Sequence, residues 1–372
     1  MKIETFGLER YFAKHEFSAR YLLSSSDCES LSLLELLEMA HRETIELWVD
    51  LRFGYTESMG HPKLRQAIAE IYQDHSADDI LVVVPEEGIF LLMHALLEPG
   101  DHVVCTFPGY QSLYEIARSI GCDVSLWKPV EEEGWYFNPD QLKQLLRPDT
   151  KLVVVNFPHN PTGFVPFIED YSSLIDLVSQ LGIYLLSDEM YRFLEINEAI
   201  TLPAGSELYQ KAISLSGLSK SYGLPGLRIG WITTHDRELL AQMSALKDYT
   251  TICASAPSEI LAIFALMNRD SIISGHLLRI NRNLGLLDDF FDDFGDCFQW
   301  NRPLGGSICF PRLLLPDGAT NFCDELVERT GIMLAPSSVF QYGDDHVRIG
   351  FGRENLPEVI EHFRRYLGQR YR

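Results

Sequence analysis

Short, nearly continuous apolar runs alternate with helical stretches between residues 80 and 234, and this alternation limits the chain to few architectures. The runs occupy residues 80–84, 102–106, 123–127, 152–156, 183–187, 212–216 and 229–233. Strands have this composition when both faces of their sheet are covered. The stretches at residues 86–97, 111–120, 172–181 and 237–248 have helical patterns. The alternation predicts a layered α/β domain with a largely parallel sheet.

The pattern changes after Pro257. Long helical stretches at residues 258–266 and 271–294 lead to short strands near 307–311 and 346–352, and a last helix is predicted at 356–367. These elements predict a smaller α+β domain whose boundary falls inside the long helix. We place the large domain at residues 41–275 and the small C-terminal domain at residues 276–372.

Composition and charge exclude several classes of function. The net charge of −22 disfavours nucleic acid and anionic membranes as partners. No apolar run reaches the roughly 18 residues of a membrane span, and residues 1–6 are too polar and acidic for a signal peptide. The seven cysteines are scattered singly, without a CxxC pair or a histidine at ligand spacing. They predict reduced thiols in a cytoplasmic protein, with no disulfide frame and no metal site.

One lysine has the surroundings of a reactive amine. Lys220 ends the run Ser216-Gly217-Leu218-Ser219-Lys220, which follows a predicted buried strand. A lysine amine can form a Schiff base with a carbonyl if its pKa is lowered. Arg228 follows eight positions later, after a turn rich in glycine and proline. Such a turn can bring the guanidinium near the lysine, where it would lower the pKa of the amine and bind a phosphate.

This segment resembles the pyridoxal-phosphate (PLP) lysine motif of the class I and II aminotransferases, a branch of the fold type I PLP enzymes. Three further segments match in the family's order: Asn160-Pro161-Thr162-Gly163, Ser187-Asp188-Glu189-Met190-Tyr191 and Val347-Arg348-Ile349-Gly350-Phe351. The resemblance extends from about Tyr55 to the C-terminus. It implies a three-layer PLP-dependent transferase fold with a seven-stranded, mostly parallel sheet containing one antiparallel strand. It also implies that residues 1–40 form an N-terminal arm on the small domain.

The resemblance implies a role for each residue around the cofactor ring. Lys220 would form the Schiff base and then move the substrate proton, while Asp188 would keep the ring nitrogen protonated. Tyr191 and Asn160 would contact the phenolic oxygen, and Tyr110 would stack on the ring. Plainer interpretations stay open: Asp188 as a helix cap, residues 160–163 as a simple turn and Tyr110 as a core tyrosine.

The implied phosphate ligands are two side chains and two backbone N–H groups at the start of a helix: Ser219, Arg228, Glu86 and Glu87. The chain departs from the family at two places here. Pro85 has no N–H group to donate, and Gly217 stands where the family often has a hydroxyl residue. Ser216 is a substitute hydroxyl. We expect weaker retention of the phosphate than is usual in the family, but not a lost site.

Arg348 lies in a predicted apolar strand of the small domain, where an unpaired guanidinium is costly. The resemblance assigns it, with Asn160, to the substrate carboxylate, and an ion pair with a buried acid is the alternative. Arg353 is a weaker candidate. Tyr55 resembles a tyrosine that reaches the neighbouring subunit's phosphate, and the hydroxyls of residues 247–251 would line the same site. This implies a homodimer with shared active sites, although Tyr55 in a simple turn is the plainer interpretation.

These features predict a PLP-dependent aminotransferase that moves an amino group from an α-amino acid to an α-keto acid. Residues 156–161 and 218–228 also resemble capreomycidine synthase, a PLP enzyme that cyclises a hydroxylated arginine by elimination and ring closure. The fold supports such reactions as well. The acidic loop Asp27-Cys28-Glu29 would receive a cationic side chain in that case, or is a solvated turn. A non-catalytic PLP-binding module is a third alternative.

Overall fold

The N-terminal part of the chain forms an arm of short elements. The computed structural model describes residues 2–197 and 200–371. The arm comprises α1 (Gly7–His15), β1 (Tyr21–Leu22) and α2 (Leu33–Glu38), and α3 (Arg42–Val49) and α4 (Pro62–Ala69) follow at the start of the proposed large domain. Strand β1 pairs in parallel with a strand of the C-terminal region, whereas α2 packs on a helix of the central domain through the buried Leu36. The arm therefore contacts both parts of the molecule.

A seven-stranded sheet forms the centre of the fold. Its elements follow in the order β2 (Ile80–Val83), α5 (Pro85–Leu96), β3 (His102–Thr106), α6 (Ser112–Ile120), β4 (Asp123–Trp127), α7 (Pro139–Leu145), β5 (Thr150–Asn156), α8 (Ile168–Leu181), β6 (Tyr184–Asp188), α9 (Gly205–Leu208), β7 (Ala212–Gly217), β8 (Gly230–Thr233), α10 (Arg237–Lys247) and α11 (Ala256–Met267). The strand order is β2-β8-β7-β6-β5-β3-β4, and β8 runs antiparallel to both neighbours. The predicted three-layer α/β fold is confirmed, and the strands begin and end within two residues of the predicted positions.

Side chains alternate between two covered faces along these strands, which explains their continuous apolar sequence. In β3, Val103 and Cys105 pack with the buried residues of α5 and α6, while Val104 between them packs with those of α8. Helix α8 begins four residues before the predicted start. Its acidic first-turn residues Glu169 and Asp170 suit the positive end of the helix dipole.

The C-terminal region is built on one long helix. Its elements are α12 (Arg269–Asp293), β9 (Phe298–Gln299), β10 (Ile308–Cys309), β11 (Arg312–Leu313), α13 (Ala319–Thr330), β12 (Ile332–Met333), β13 (Ala335–Pro336), β14 (Val347–Gly350) and α14 (Leu356–Tyr371). Ile272 and Ile273 of α12 pack with the central domain, whereas its buried apolar side chains from Ile280 onward pack with α13 and α14. The core changes between residues 273 and 280, and we keep residue 275 as the proposed domain boundary.

Two properties of the described chain bear on its surroundings. None of the helices in the described ranges is both long enough and apolar enough to cross a bilayer. All seven cysteines are free thiols, and six of them are buried.

Candidate active site

A cavity of about 420 Å³ lies where the parallel strands end, the edge at which ligands bind in open α/β sheets. Strands β5, β6 and β7 deliver their last residues or the loops that follow to this edge. Nine of the eleven predicted site residues line the cavity: Glu86, Tyr110, Asn160, Asp188, Tyr191, Ser219, Lys220, Arg228 and Arg348. Glu87 lies on the adjacent groove, and Tyr55 is 89% exposed.

Lys220 reaches the cavity from the loop after β7. Its Nζ donates a hydrogen bond to Ser26 Oγ at 2.8 Å. Burial lowers the pKa of the Lys220 amine, and the nearby cations Arg348 and Arg228 act in the same direction, while the carboxylate of Asp27 opposes them. The amine is therefore biased toward its neutral, nucleophilic form. Sequence reasoning did not identify Ser26, which lies 194 residues away along the chain.

Asp188 is the last residue of β6 and is buried. Burial raises the pKa of its carboxyl group to about 7, against a hydrogen bond from the Met190 N–H at 3.1 Å. Asn156 fixes the strand ends around it, because its amide donates to the Asp188 carbonyl at 3.0 Å and its Oδ1 accepts from the Asn160 N–H at 2.8 Å. A carboxylate in this position gains most from a cationic or N–H partner. The sequence patterns did not identify Asn156 as a site residue either.

Three buried polar atoms in the wall of the cavity have no hydrogen-bond partner among the described residues: Tyr191 Oη, Ser219 Oγ and Glu86 Oε2. Buried polar groups are nearly always satisfied in folded proteins. Burial raises the pKa of the Tyr191 hydroxyl, so it is a hydrogen-bond donor at neutral pH. Their shared location indicates a bound molecule with several polar atoms.

The N-terminus of α5 faces the same cavity. Pro85 is the first helical residue, and the N–H groups of Glu86 and Glu87 that follow have no partner within the helix. The Glu86 carboxylate accepts a hydrogen bond from Ser112 Oγ, and the Glu87 carboxylate accepts one from Thr251 Oγ1 at 2.8 Å. Both carboxylates are thus held by hydroxyl groups, and the backbone N–H groups are left for an anion.

Pro85 and Gly217, the two departures from the family pattern, are structurally linked. A Cβ atom added at Gly217 would lie 3.2 Å from Pro85 Cγ and 3.0 Å from Gly230 Cα. A Cβ atom at Gly230 would lie 2.7 Å from the same proline carbon. A side chain at position 217 would therefore crowd both the proline ring and the backbone of residues 229–230.

Arg348 on β14 is buried, with 2% of its surface exposed. Its Nη2 and Nε donate to the Ser24 carbonyl at 2.8 and 3.2 Å, and its Nη1 donates to Asn160 Oδ1 at 3.3 Å. The guanidinium carbon lies 5.5 Å from the centre of the Phe12 ring and 5.4 Å from that of Phe340. No carboxylate of the described residues forms a salt bridge with it, so the alternative of an ion pair with a buried acid is wrong.

The remaining predicted residues lie at the edges of the cavity. Tyr110 donates to Glu9 Oε1 at 3.3 Å and its ring contacts Phe6 at 5.0 Å between centroids. Arg228 has a left-handed backbone conformation (φ 56°) and donates to the Pro225 carbonyl at 2.9 Å. Tyr110 therefore reaches the cavity from the loop after β3, and Arg228 reaches it from the loop after β7.

The acidic loop at residues 27–29 has a partner that the sequence did not predict. Arg353 Nη2 donates to both carboxylate oxygens of Asp27, at 2.9 and 3.0 Å, and its Nη1 lies 3.7 Å from Glu29. Asp27 still lines the cavity, but its charge is already balanced. The loop is therefore neither a free cation site nor a purely solvated turn, and Arg353 is engaged in a structural ion pair.

One group of possible metal ligands lies together outside the cavity: His75, Asp79 and His235. The carboxylate of Asp79 already accepts hydrogen bonds from the Ser76 N–H at 2.9 Å and from Arg237 Nε at 3.1 Å. The two imidazole rings stack at 4.1 Å with 24° between their planes. Their in-plane lone pairs run nearly parallel and do not converge on one ion, so we assign no metal site there.

Comparison with known proteins gives a consistent result over nearly the whole chain. The family described as aminotransferase class I and II matches residues 21–363. Capreomycidine synthase from Streptomyces vinaceus is 31% identical over 347 residues, which cover 92% of this chain and 88% of that protein. A PLP-dependent aminotransferase from Streptococcus suis has a TM-score of 0.93 at 31% identity, with 99% of each chain covered. The PLP-dependent cyclase OrfR has a TM-score of 0.90 at 28% identity, covering 100% of this chain and 98% of that one.

Proposed function

The chain belongs to the class I and II aminotransferase family, whose cofactor is PLP, and on that premise we propose that it transfers an amino group from an α-amino acid to an α-keto acid. The observation that carries the proposal is the combination in one cavity of a half-buried amine, a buried carboxylate and a buried guanidinium without a carboxylate partner. These are the groups that amino transfer on this cofactor requires.

The residues present fit PLP. Asp188 would hold the pyridine nitrogen, and Tyr191 and Asn160 would take the phenolic oxygen. The partnerless hydroxyl of Ser219, the Arg228 guanidinium and the free N–H groups of α5 would hold the phosphate. When bound, PLP supplies an electron sink for the electron pair released at the substrate Cα. Ser219 and Arg228 would remain as phosphate ligands in spite of the missing N–H of Pro85, with the weaker retention that the sequence predicts.

Lys220 would move the proton. The lowered pKa of its amine allows Nζ to accept the proton from the substrate Cα and to donate that proton again later in the reaction. Ser26 Oγ, the present partner of Nζ at 2.8 Å, holds the amine at the cavity wall while it is neutral. Proton transfer would require the substrate Cα to lie on the side of the cavity where Lys220 stands.

Arg348 and Asn160 would orient the substrate by its α-carboxylate. A guanidinium with only neutral partners gains the full strength of a charge-assisted, two-point contact when a carboxylate arrives. The flanking rings of Phe12 and Phe340 exclude water from one side of this contact. The carboxylate anchor fixes the Cα–H bond relative to Lys220, which is the orientation that proton transfer needs.

A product assay tests this proposal. The cofactor-loaded protein is mixed with each of the twenty amino acids and with pyruvate or 2-oxoglutarate as acceptor, and new alanine or glutamate is measured. We expect the acceptor-derived amino acid to form with at least one donor, and to be lost in Lys220→Ala. Consumption of the donor with release of ammonia and no new amino acid would contradict amino transfer.

The same assay detects the second candidate reaction, elimination or cyclisation of an amino acid. It is supported by the similarity over 92% of the chain to capreomycidine synthase and by the TM-score of 0.90 with a PLP-dependent cyclase. The early steps of amino transfer and of elimination require the same roles of Lys220 and Asp188, so the cavity would suit either reaction. A cyclised product formed without a keto-acid acceptor would favour this candidate.

We further propose a homodimer in the cytoplasm. Tyr55 and Tyr249 expose 89% and 90% of their surface, an unusual state for large aromatic rings that a second subunit would cover. Thr250 and Thr251, which follow Tyr249, donate their hydroxyls to the Glu87 carboxylate at the N-terminus of α5. The unpaired thiols suit a reducing compartment. A monomeric mass in sedimentation equilibrium at micromolar concentration would contradict the shared site.

A further inference from the structure

Two carboxylates, Glu9 of helix α1 and Glu16 directly after its last residue, face the candidate active site without a role in the proposed mechanism. Glu9 and Glu16 line the same cavity as Lys220, together with Phe12 between them. Residues three and four apart lie on one face of a helix, so Glu9, Phe12 and Glu16 form a continuous surface toward the cavity. Sequence patterns did not single out either glutamate.

The other charges of the cavity have a partner or a proposed role. Asp27 is paired with Arg353, Glu86 is held by Ser112, and Asp188 would face the ring nitrogen. The three cations would serve the proton transfer, the phosphate and the substrate carboxylate. Glu9 accepts a hydrogen bond from the Tyr110 hydroxyl, but neither Glu9 nor Glu16 forms an ion pair with any of the described residues or has a role in the proposed reaction.

Glu16 stands in an electrostatically unfavourable position. Its carboxylate has no hydrogen bond and no ion pair with any residue in the described ranges. Burial raises the pKa of the Glu16 carboxyl, and the neighbouring carboxylates Asp27 and Glu9 raise it further, while the cations Arg353 and Lys220 act in the opposite direction. It also follows the last residue of α1, where the helix dipole disfavours a negative charge. A bound cation would lower the electrostatic free energy of this carboxylate.

The position of Glu9 and Glu16 beside Arg348 indicates that this cation would belong to the substrate. The guanidinium of Arg348 lies against the Phe12 ring, so the carboxylate surface of α1 begins beside the anchor for the substrate α-carboxylate. A substrate held by Arg348 would extend its side chain along Phe12 toward the two glutamates. An acidic side chain would be repelled there, and a neutral one would leave Glu16 unpaired.

We propose that Glu9 and Glu16 receive the positively charged end of the substrate side chain, so that the enzyme acts on a basic amino acid with a guanidinium or ammonium group. The apolar stem of such a side chain packs on Phe12 while its charged end meets the carboxylates. This inference rests on the proposed function, because it takes Arg348 as the carboxylate anchor.

Binding of unreactive analogues to the cofactor-loaded enzyme tests the inference apart from catalysis. Isothermal titration compares 5-guanidinopentanoate with the neutral isostere 5-ureidopentanoate, neither of which has an α-amino group. We expect the guanidino compound to bind at least about 10-fold more tightly, as charge-assisted contacts do. Glu16→Gln and the double variant Glu9→Gln/Glu16→Gln are expected to abolish that ratio. The control is Glu328→Gln, an exposed residue of α13, which should keep it.

Kinetics with arginine, citrulline and aspartate as donors give the second measurement. We expect kcat/KM to decrease from arginine to citrulline to aspartate in the wild type, and the difference between the first two to vanish in the double variant. Equal binding of the two analogues by the wild type, or an unchanged ratio in the double variant, would overturn the inference while leaving amino transfer intact. Failure of every amino acid to react would instead refute the proposed function, and with it this inference.

Discussion

Replacing Arg348 by methionine tests whether its guanidinium binds the substrate or stabilises the fold. In the substrate-free protein the guanidinium is buried among neutral partners, the Ser24 carbonyl, the Asn160 amide and two phenyl rings. Removal leaves the Ser24 carbonyl without its donors, which costs about 1–3 kcal/mol. It also removes a buried charge that lacks an anion, a gain of comparable size. We expect the free energy of unfolding to change by less than about 2 kcal/mol.

The effect on substrate binding should be much larger. Each hydrogen bond between charged groups contributes about 1.5–3 kcal/mol, so a two-point contact contributes about 3–6 kcal/mol. Since about 1.4 kcal/mol is a factor of ten, kcat/KM for the best amino acid should fall by about 10² to 10⁴ in Arg348→Met. The corresponding decarboxylated amine, which has no carboxylate to lose, should react equally well with both proteins.

Two measurements check the reasoning: urea unfolding of the cofactor-free proteins, and half-reaction kinetics followed by absorbance of the cofactor-loaded proteins. The amine is the internal control for correct folding of the variant. A loss of more than about 4 kcal/mol in unfolding free energy, or an equal loss of activity toward the amino acid and its amine, would mean that Arg348 is a structural residue.

Three further perturbations follow from the cavity. Burial raises the pKa of the Asp188 carboxyl to about 7 in the folded, cofactor-free protein. Between pH 4 and 7 the folded protein therefore keeps a proton on Asp188, whereas the unfolded chain has released it. Its unfolding free energy should therefore fall as pH rises through this window, and Asp188→Asn should remove that part of the slope in urea titrations. Gly217→Ser should destabilise the protein by about 1–3 kcal/mol, since the new side chain meets Pro85 and Gly230. Adding Pro85→Gly should recover part of that loss in a double-mutant cycle. Strictly additive effects of the two substitutions would refute a contact between positions 85 and 217. Ser219→Ala should weaken PLP binding by roughly 10-fold in a reconstitution titration without lowering the stability of the cofactor-free protein, because the hydroxyl has no partner there.

The sequence predicted the sheet and the main residues of the site for the same reason. A strand buried on both faces has to be apolar throughout, so its position can be read from the sequence within one or two residues. The carboxyl ends of parallel strands lie at one edge of the sheet. Asn160, Asp188 and Lys220, which follow three neighbouring strands, therefore had to come together, and the structure places all three around one cavity.

Other features are contacts between segments far apart in the chain, and no local pattern encodes them. The Lys220–Ser26 hydrogen bond spans 194 residues and the Arg353–Asp27 ion pair spans 326. The sequence therefore showed an acidic loop at residues 27–29 but not the arginine that occupies it. It also showed Pro85 and Gly217 as two separate departures, although a side chain at position 217 would crowd the proline ring.

The sequence by itself determined the layered fold, the family and the positions of the amine, the carboxylate and the guanidinium that the chemistry needs, because periodicity and short motifs are local properties of the chain. Only the tertiary structure decided which charges remain uncompensated in the assembled cavity, because the balance depends on which distant segment supplies each counter-charge. Helix α1 brings Glu9 and Glu16 to the cavity while Arg353 neutralises Asp27. The charge left over at the cavity is a property of the packed molecule.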